Sequence, residues 1–392
     1  MPLPFPGPVA PPLSLHDATR ELNGWIELDL EAVAHNVRAL RDWVGAGVEL
    51  IAVVKANAYG HGVAGIAPAL EAAGVERFAV VWPSEAVALR DCGISRPLLV
   101  LGHAFPGDAQ GCVARDITLT VHSLALCEAV SNVAKDQGKI AKVHIQVDTG
   151  LHREGITLDD AVALAEAARR LPAIEVEGLS THMANADEPD DSYADVQHAR
   201  FEEAVERLPW IPFRHVANSA TAIRRGAFRW EGVRLGLSLH GVLPPNSPGP
   251  GVRPVLSLKA RLARVSDVPP GGGVSYGLTW RAGRPSRVAL VPVGYADGWR
   301  RSLGNAGSVL IHGKRCPIVG RVAMDQFIVD VTDLDGCAEG DEAVLIGEQG
   351  GESITADDVA KIAGTISWDV LASLQSRLPR LYQRAGSVER IG

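Results

Sequence analysis

Short apolar runs alternate regularly with amphipathic helical patterns along the first 240 residues. Eight of these runs have the length and β-branched content of buried strands: residues 50–54, 78–82, 98–101, 117–121, 143–147, 176–181, 213–217 and 233–239. Helical patterns lie between several of them, at residues 84–90, 124–135, 158–170 and 194–207, and a strand at 25–30 and a helix at 30–44 precede them. Eight strands separated by helices or short turns predict an α/β protein with a (β/α)8 TIM-type barrel over residues 25–253.

The pattern changes near residue 254. β segments separated by Gly and Pro clusters follow, at residues 255–265, 287–293, 308–311, 317–322, 327–331 and 343–346. One amphipathic helix is then expected, with Thr355 as its N-cap and its buried side formed by Val359, Ile362, Ile366, Val370 and Leu374. We therefore predict a mainly β domain over residues 254–392. Residues 1–24, a Pro-rich leader, are expected to be disordered.

Composition and charge narrow the class of protein. The chain is 46% hydrophobic and 21% charged, with a net charge of −8. Such a chain is typical of a globular protein, and without basic excess it argues against binding nucleic acid or an anionic membrane. We find no apolar run long enough to span a membrane, and the five cysteines show no metal-ligand spacing. The cysteines are expected to be free thiols in a cytoplasmic protein.

Lys55 ends the first predicted barrel strand, where the active site of such a barrel lies. Burial favours the neutral amine of a lysine, which forms a Schiff base with an aldehyde cofactor. The alternative is a rim lysine whose amine reaches solvent. This residue is our first candidate for catalysis.

Further polar residues end the later barrel strands. Ser219 opens a predicted helix, and Gly236 lets the backbone approach a ligand closely, so the last two strands resemble a barrel phosphate site. An ordinary helix cap is the alternative for Ser219. A lysine and a phosphate site together predict pyridoxal phosphate, with Arg234 at its pyridine nitrogen unless that arginine forms a structural ion pair. His182 and Asp187 lack a third metal ligand, so no metal is expected, and we favour His182 as the residue that orients Arg234.

A set of short motifs is spread from about Trp25 to Tyr382. In chain order they are VVKANAYGHG, DTGLHREG, THMANAD, ANSATA, VRLGLSLHG, GVSYG, VGYADGW, GRVAMDQ and RLPRLY. Each motif is weak alone, but the order is specific, and the ordered set resembles the alanine racemase family of fold-type III pyridoxal-phosphate enzymes.

The resemblance implies a role for each matched residue. Lys55 would bind the cofactor and act on the D-enantiomer, and Tyr276 would be the opposite base, contributed by the partner subunit of a homodimer. The implied phosphate ligands are Tyr59, Ser219, Gly236, Leu237 and Tyr382. Arg153 would contact the cofactor's phenolic oxygen and the substrate carboxylate, and Arg234 would contact the pyridine nitrogen. Met324 of the other subunit would contact the substrate, and Tyr295 would guard the entry channel. The implied reaction interconverts L-alanine and D-alanine for peptidoglycan synthesis in a bacterial cytoplasm.

Two positions depart from the family pattern. Gln146 occupies a position where many members have a carbamylated lysine that braces the arginine, so Arg153 would need another partner or be held less rigidly. Ala323 precedes Met324 where cysteine is common.

Three other functions remain open. A racemase of wider range would act on serine or other small amino acids. A single-domain barrel carrier would bind pyridoxal phosphate without catalysis, but the second domain with Tyr276 and Met324 argues against it. A barrel-type decarboxylase is disfavoured because its glycine-rich phosphate segment and its cysteine–aspartate motif are absent.

Overall fold

The computed structural model describes residues 8–245, 247 and 249–392. The chain divides into two compact units, each described below by itself. The first unit holds Val33–Ala58 and Ile66–Arg253. The second holds the described residues up to Ala32, together with Tyr59–Gly65 and Pro254–Gly392. Segments from both ends of the sequence and one internal segment therefore build the second unit, which a division at residue 254 does not capture.

The N-terminal segment has regular structure. Its elements are β1 (Pro8–Ser14), α1 (Leu15–Thr19), β2 (Gly24–Asp29) and α2 (Leu30–Val44). Leu15, Ala18 and Leu22 pack against a buried cluster formed by Trp25, Leu381 and Val388. The expected disorder is therefore wrong for residues 8–24, because apolar contacts distant in sequence outweigh the Pro-rich composition, while residues 1–7 lie outside the described residues.

A closed barrel of eight parallel strands forms the core of the first unit. This confirms the predicted fold class. Its strands are β3 (Glu49–Val53), β4 (Arg77–Val80), β5 (Leu98–Val100), β6 (Ile117–Val121), β7 (Ala141–Gln146), β8 (Ile174–Ser180), β9 (Phe213–His215) and β10 (Gly232–Leu235). β10 closes the barrel by pairing with both β3 and β9.

Helical segments follow the barrel strands. They are α3 (Lys55–Tyr59), α4 (Val63–Ala72), α5 (Pro83–Asp91), α6 (Ala109–Ala114), α7 (Leu124–Asp136), α8 (Leu158–Ala168), α9 (Tyr193–Arg207) and α10 (Ser219–Arg224). The hydroxyls of Ser123 and Thr157 accept the N–H groups three residues further on, which fixes where α7 and α8 begin.

The second unit is mainly β, as predicted. Its strands after residue 254 are β11 (Leu256–Arg261), β12 (Arg264–Val268), β13 (Gly273–Val274), β14 (Trp280–Arg281), β15 (Ser286–Val291), β16 (Ser308–Ile311), β17 (Lys314–Pro317), β18 (Phe327–Asp330), β19 (Glu342–Gln349), β20 (Glu352–Ile354), β21 (Arg380–Arg384) and β22 (Ser387–Ile391). Strands from both ends of the chain join in one nine-stranded sheet, in the order β1-β22-β21-β2-β11-β19-β16-β17, with β20 paired to β19. The predicted strand at residues 317–322 is wrong, since β17 ends at Pro317 and Gly320 turns the chain at φ 78°.

Two helices replace the single one expected near the C-terminus, α11 (Ala356–Ala363) and α12 (Ser367–Ala372). Thr355 caps α11 as predicted, but Gly364 ends it in a left-handed conformation at φ 72°. Ile362 and Ile366 are consequently exposed rather than buried. None of the described helices combines the length and apolar character needed to cross a lipid bilayer.

Candidate active site

Lys55 lies at the C-terminal end of β3, the first barrel strand, and starts an unusual turn. The next four residues, Ala56 to Tyr59, all have left-handed φ values between 51° and 55°. Each such non-glycine residue costs about 1–2 kcal/mol relative to a right-handed helix. Burial and the nearby charge of Arg153 lower the pKa of the Lys55 amine. The fold therefore makes the Lys55 amine easier to deprotonate than a free lysine, and the neutral form is the one that a nucleophile or a base requires.

Glu85 secures this turn from the neighbouring helix α5. One carboxylate oxygen accepts the Ala56 N–H at 2.8 Å, and the other accepts the N–H groups of Val81 and Trp82 at 3.1 and 3.0 Å. The second pair closes the N-terminus of α5, so one side chain joins a helix cap to the segment after Lys55. This role of Glu85 was not predicted from the sequence, although a Glu three residues into a helix that begins with Pro is a recognisable capping signal.

Arg234 extends from β10 and is almost completely buried. Its terminal nitrogens donate to the carbonyls of His215, Thr181 and Val216 at 2.7–2.9 Å, and to ring nitrogens of His215 and His182 at 2.8 and 3.1 Å. Burial and the charge of Arg153 lower its pKa to about 10. These contacts hold the guanidinium plane in one orientation.

His182 lies beside Arg234, with its Nδ1 3.1 Å from a terminal nitrogen of the arginine. Burial and the positive charges of Arg234, Arg153 and Lys55 hold the pKa of His182 well below its usual range. An arginine only donates hydrogen bonds, so the Nδ1 that faces Arg234 accepts, and the proton of the neutral ring is on Nε2.

Arg153 follows β7 in a tightly folded loop. Asp148 Oδ1 accepts the N–H groups of Gly150, Leu151 and His152 at 2.9–3.1 Å. Burial acts to raise the pKa of Asp148, but these backbone donors and the His152 ring lower it below its usual value. Arg153 itself is exposed and has no ion-pair partner in the described part of the chain, and Gln146 is buried at the end of β7.

The segments that follow β9 and β10 meet through a serine. Asn218 caps α10, so Ser219 is the first helical residue and not the cap. The Ser219 hydroxyl accepts the Gly236 N–H at 3.1 Å and lies 3.0 Å from the Ser238 hydroxyl. Leu237 is the first residue of a short 3-10 helix, and its N–H has no acceptor among the described residues. Such a pair of loops after the seventh and eighth strands is where barrels bind phosphate.

Tyr59 and Tyr382 belong to the second unit, where Tyr382 is only 1% exposed. Its hydroxyl donates to the carbonyls of His61 and Gly62 at 3.3 and 3.1 Å, and burial raises its pKa to about 12. A Cβ on Gly65 would lie 2.2 Å from the tyrosine ring. The structure gives this tyrosine a packing role, which does not favour the phosphate contact expected from the sequence.

Tyr276 is 72% exposed on a turn of the second unit. Ser275, Gly277 and Leu278 around it have positive φ values of 60°, 75° and 45°. The Ser275 hydroxyl donates to the Arg321 carbonyl at 2.7 Å, which fixes the turn to the segment before Met324.

Tyr295 and Met324 lie on neighbouring loops of the same unit. The Ala323 carbonyl accepts the N–H of Tyr295, and the Met324 carbonyl accepts the N–H of Ala296, at 3.1 and 2.9 Å. A Cβ on Gly294 would be 2.2 Å from the Met324 carbonyl oxygen, so this approach requires glycine. Both side chains are exposed, and Tyr295 lines a polar cleft of about 390 Å³ with Arg300 and Arg301.

The predicted site residues thus fall into two groups. The barrel mouth holds Lys55, Arg153, His182, Ser219, Arg234, Gly236 and Leu237, and the second unit holds Tyr59, Tyr276, Tyr295, Met324 and Tyr382. In the described ranges, no group of three or more His, Cys, Asp or Glu side chains has the arrangement of a metal site.

The fold and this site define a two-domain enzyme built on a parallel barrel, with a partly buried lysine and a buried arginine at the barrel mouth. The alanine racemase N-terminal domain model matches residues 28–244, and the alanine racemase C-terminal domain model matches residues 255–382. The chain belongs to the alanine racemase family.

Individual relatives are similar to this chain along nearly its whole length. The alanine racemase of Halothermothrix orenii is 40% identical over 365 residues, which are 92% of this chain and 96% of the relative. The crystal structure of Bacillus anthracis alanine racemase with bound L-Ala-P superposes with a TM-score of 0.88 at 36% identity, covering 95% of this chain and 97% of that one. The Bartonella henselae enzyme with covalently bound pyridoxal phosphate gives a TM-score of 0.84 at 31% identity, covering 92% and 99%.

Proposed function

We propose that the protein is a pyridoxal-phosphate-dependent alanine racemase that interconverts L-alanine and D-alanine with two bases. The observation that carries this proposal is Lys55 at the barrel mouth, with its lowered pKa, in a chain 40% identical to an alanine racemase over most of its length. The carrier hypothesis explains neither the second unit nor its exposed Tyr276.

The barrel mouth fits pyridoxal phosphate. Lys55 supplies the amine that would bind the aldehyde, and the Ser219 hydroxyl with the N–H of Leu237 would hold the phosphate. Arg234 would donate to the pyridine nitrogen, because its terminal nitrogens are already occupied and its Nε has no acceptor within the described chain. Tyr59 completes the proposed cofactor contacts, and Tyr382 is left out because its hydroxyl binds backbone carbonyls. Pyridoxal phosphate, when bound, makes the α-proton of an amino acid acidic.

The two bases divide the proton transfer between the faces of the substrate. The Lys55 amine, whose pKa burial lowers, accepts or returns a proton at Nζ on one face. Tyr276 of a second copy does so at its hydroxyl oxygen on the other face, which agrees with its exposure on the second unit. The Nε2–H of neutral His182 remains free to donate to an anion that forms nearby. Arg153 and, from the second copy, Met324 would bind the substrate, and Tyr295 would guard the entry channel.

Supply of D-alanine for peptidoglycan in a bacterial cytoplasm completes the proposal. The described structure keeps all five cysteines as thiols, which agrees with a reducing compartment.

Chiral chromatography of L-alanine after incubation with the protein and pyridoxal phosphate tests the reaction. We expect conversion to an equal mixture, no conversion by Lys55→Ala, and a loss of at least about a hundredfold by Tyr276→Phe, the lower range for general acid–base catalysis. Wild-type turnover in Tyr276→Phe would contradict the two-base assignment. Faster turnover of serine in a substrate panel would replace alanine with the wider racemase hypothesis.

A further inference from the structure

A continuous chain of buried hydrogen bonds runs through the barrel interior from Arg234. Arg234 Nη1 lies 2.8 Å from His215 Nδ1, and His215 Nε2 lies 2.9 Å from His144 Nδ1. His144 Nε2 lies 3.1 Å from Glu177 Oε2. Both histidines are fully buried. We call Arg234, His215, His144 and Glu177 the barrel relay.

The relay ends at the opposite end of the barrel from the candidate active site. Glu177 binds Arg77 at 2.9 Å and Lys142 at 2.7 Å. Arg77 is the first residue of β4, Lys142 is near the start of β7, and Arg77 also binds Glu49 at the start of β3. The exposed Lys142 side chain connects this end to solvent.

The direction of every hydrogen bond in the relay is determined by its two ends. A guanidinium only donates, so His215 Nδ1 accepts and its proton is on Nε2. This Nε2–H donates to His144 Nδ1, and the proton of His144 is therefore also on Nε2, where it donates to the Glu177 carboxylate. A second proton on either ring would break one of these bonds. Burial, the largest cause in each case, lowers the pKa of both histidines, which agrees with neutral rings.

Arg234 depends on this relay for charge compensation. In the described part of the chain no carboxylate lies within ion-pair distance of its guanidinium, which is bound only by carbonyls and histidine rings. The anion to which its hydrogen bonds lead is Glu177, two imidazole rings away. Burying a cation without such compensation is costly.

The local backbone is shaped to fit the relay. The register between β7 and β8 shifts between Val143 and His144, so Glu177 is an extra residue in β8, and such bulges re-aim side chains. A Cβ on Gly178, the partner of His144 in the next strand, would lie 2.4 Å from the His144 ring. Barrel interiors are ordinarily filled by apolar layers. A fully bonded polar chain in that position points to a function for these residues.

We infer that His215, His144 and Glu177 are positioning residues for Arg234, which they hold as an oriented cation through a hydrogen-bond chain of fixed direction that crosses the barrel. This inference rests on the proposed function only where it assigns Arg234 to the cofactor. The direction of the chain is a property of the protein without cofactor.

The first test uses the full chain without cofactor. Long-range ¹⁵N–¹H NMR of histidine-labelled protein distinguishes the two neutral tautomers from the protonated ring. We expect His144 and His215 to carry their proton on Nε2 from about pH 6 to pH 9, a range around the reference histidine pKa. A proton on Nδ1 of either ring, or a protonated ring, would overturn the inference whether or not the protein racemises alanine.

The second test compares two substitutions of one residue. His144→Gln can still accept from His215 and donate to Glu177, whereas His144→Phe fills the space beside Gly178 but breaks the chain. We expect His144→Phe to lower kcat about tenfold, the equivalent of one hydrogen bond to a charged group, with KM changed by less than about twofold. We also expect an altered absorption spectrum of bound pyridoxal phosphate, and partial recovery of both properties in His144→Gln.

A control separates these effects from the loss of any partly buried histidine. His198→Phe removes a ring that stacks on Phe228 and accepts from Trp230, outside the relay. This variant should keep the wild-type spectrum and kcat. Equal losses in His144→Phe and His144→Gln would show a packing role only and overturn the inference. An inactive wild type with the expected tautomers would contradict the proposed function alone, and if His144→Phe does not fold, the tautomer measurement still decides.

Discussion

At the scale of single residues, the lowered pKa of Lys55 makes the stability of the protein depend on pH. Burial and Arg153 lower its pKa, while Glu154 and Glu85 act in the opposite direction. Because the unfolded chain has the ordinary lysine pKa, it binds more protons than the folded state at pH values between the two. The contribution of Lys55 to stability therefore rises with pH through that window.

Removing the Arg153 charge should make Lys55 harder to deprotonate. In Arg153→Gln without cofactor, we expect the pH midpoint for amine modification at Lys55, followed by peptide mass spectrometry, to move upward. The midpoint stays below that of a free lysine because burial, the largest cause, remains. Arg169→Gln, an exposed change directly after α8, should leave the midpoint in place. An unchanged midpoint in Arg153→Gln would show that its charge does not reach Lys55.

Tyr382 is the site residue for which sequence and structure differ most. Tyr382→Phe should lower the free energy of unfolding by about 0.5–1.5 kcal/mol, the usual net contribution of a hydrogen bond. Cofactor affinity should hardly change, because the lost hydroxyl binds the His61 and Gly62 carbonyls. Urea unfolding and fluorescence titration with pyridoxal phosphate measure the two quantities. If Tyr382→Phe weakens cofactor binding as much as Ser219→Ala does, the result would support the phosphate contact of Tyr382 that the sequence implies.

At the scale of elements, the left-handed turn α3 donates a backbone hydrogen bond to a side chain of another element of the barrel. Glu85 accepts three backbone N–H groups, one of them from Ala56 within this turn. In Glu85→Ala these donors lose their partner, and we expect a loss of stability of about 1–3 kcal/mol. Because Lys55 immediately precedes Ala56, we also expect weaker cofactor loading, measured by absorbance after dialysis.

Asp358→Ala is the matched control for this prediction. Asp358 forms the same type of capping box with Thr355 at the start of α11, in the second unit. This substitution should reduce stability by a similar amount without changing cofactor loading. Equal cofactor loading in Glu85→Ala and Asp358→Ala would show that Glu85 does not help to position Lys55.

The sequence predicts elements well where local pattern and tertiary contacts agree. The β6 strand has the predicted bounds because it is a short run that is buried along its whole length, and α2 has them because its apolar periodicity matches a helix. α11 ends early because Gly364 adopts a left-handed conformation, which an apolar pattern continuing to Leu374 does not reveal. The left-handed turn after Lys55 was not predicted, since alanine and tyrosine carry no signal for positive φ.

For the candidate site too, the sequence reveals single residues but not the contacts between residues that are distant in sequence. The ends of the predicted barrel strands made Lys55, Ser219 and Arg234 candidates, but they did not predict the barrel relay, because His144 and His215 are far apart in sequence and meet only when the barrel closes. In the sequence, two histidines within predicted barrel strands also look like ordinary buried polar residues without a function. Only the register shift beside Glu177 shows how these side chains come to face one another.

At the scale of the whole molecule, the two proposed bases lie in different units of the chain. If the active site is shared between subunits, Lys55→Ala and Tyr276→Phe are each inactive alone, but a mixed dimer contains one site with both residues intact. Random reassembly of equal amounts of the two variants should restore about one quarter of wild-type activity. Half of the dimers are then mixed, and each mixed dimer has one of its two sites intact. Reversible dissociation, mixing and the chiral assay measure this recovery.

The alternative predicts a different result from the same mixture. If Lys55 and Tyr276 of one chain formed the site, every chain in the mixture would lack one base, and no activity would return. A mixture of Lys55→Ala with the double variant Lys55→Ala/Tyr276→Phe must remain inactive in either case, since it contains no intact Lys55. Recovery near one quarter, with this control inactive, would require that the exposed turn bearing Tyr276 completes the barrel mouth of another copy.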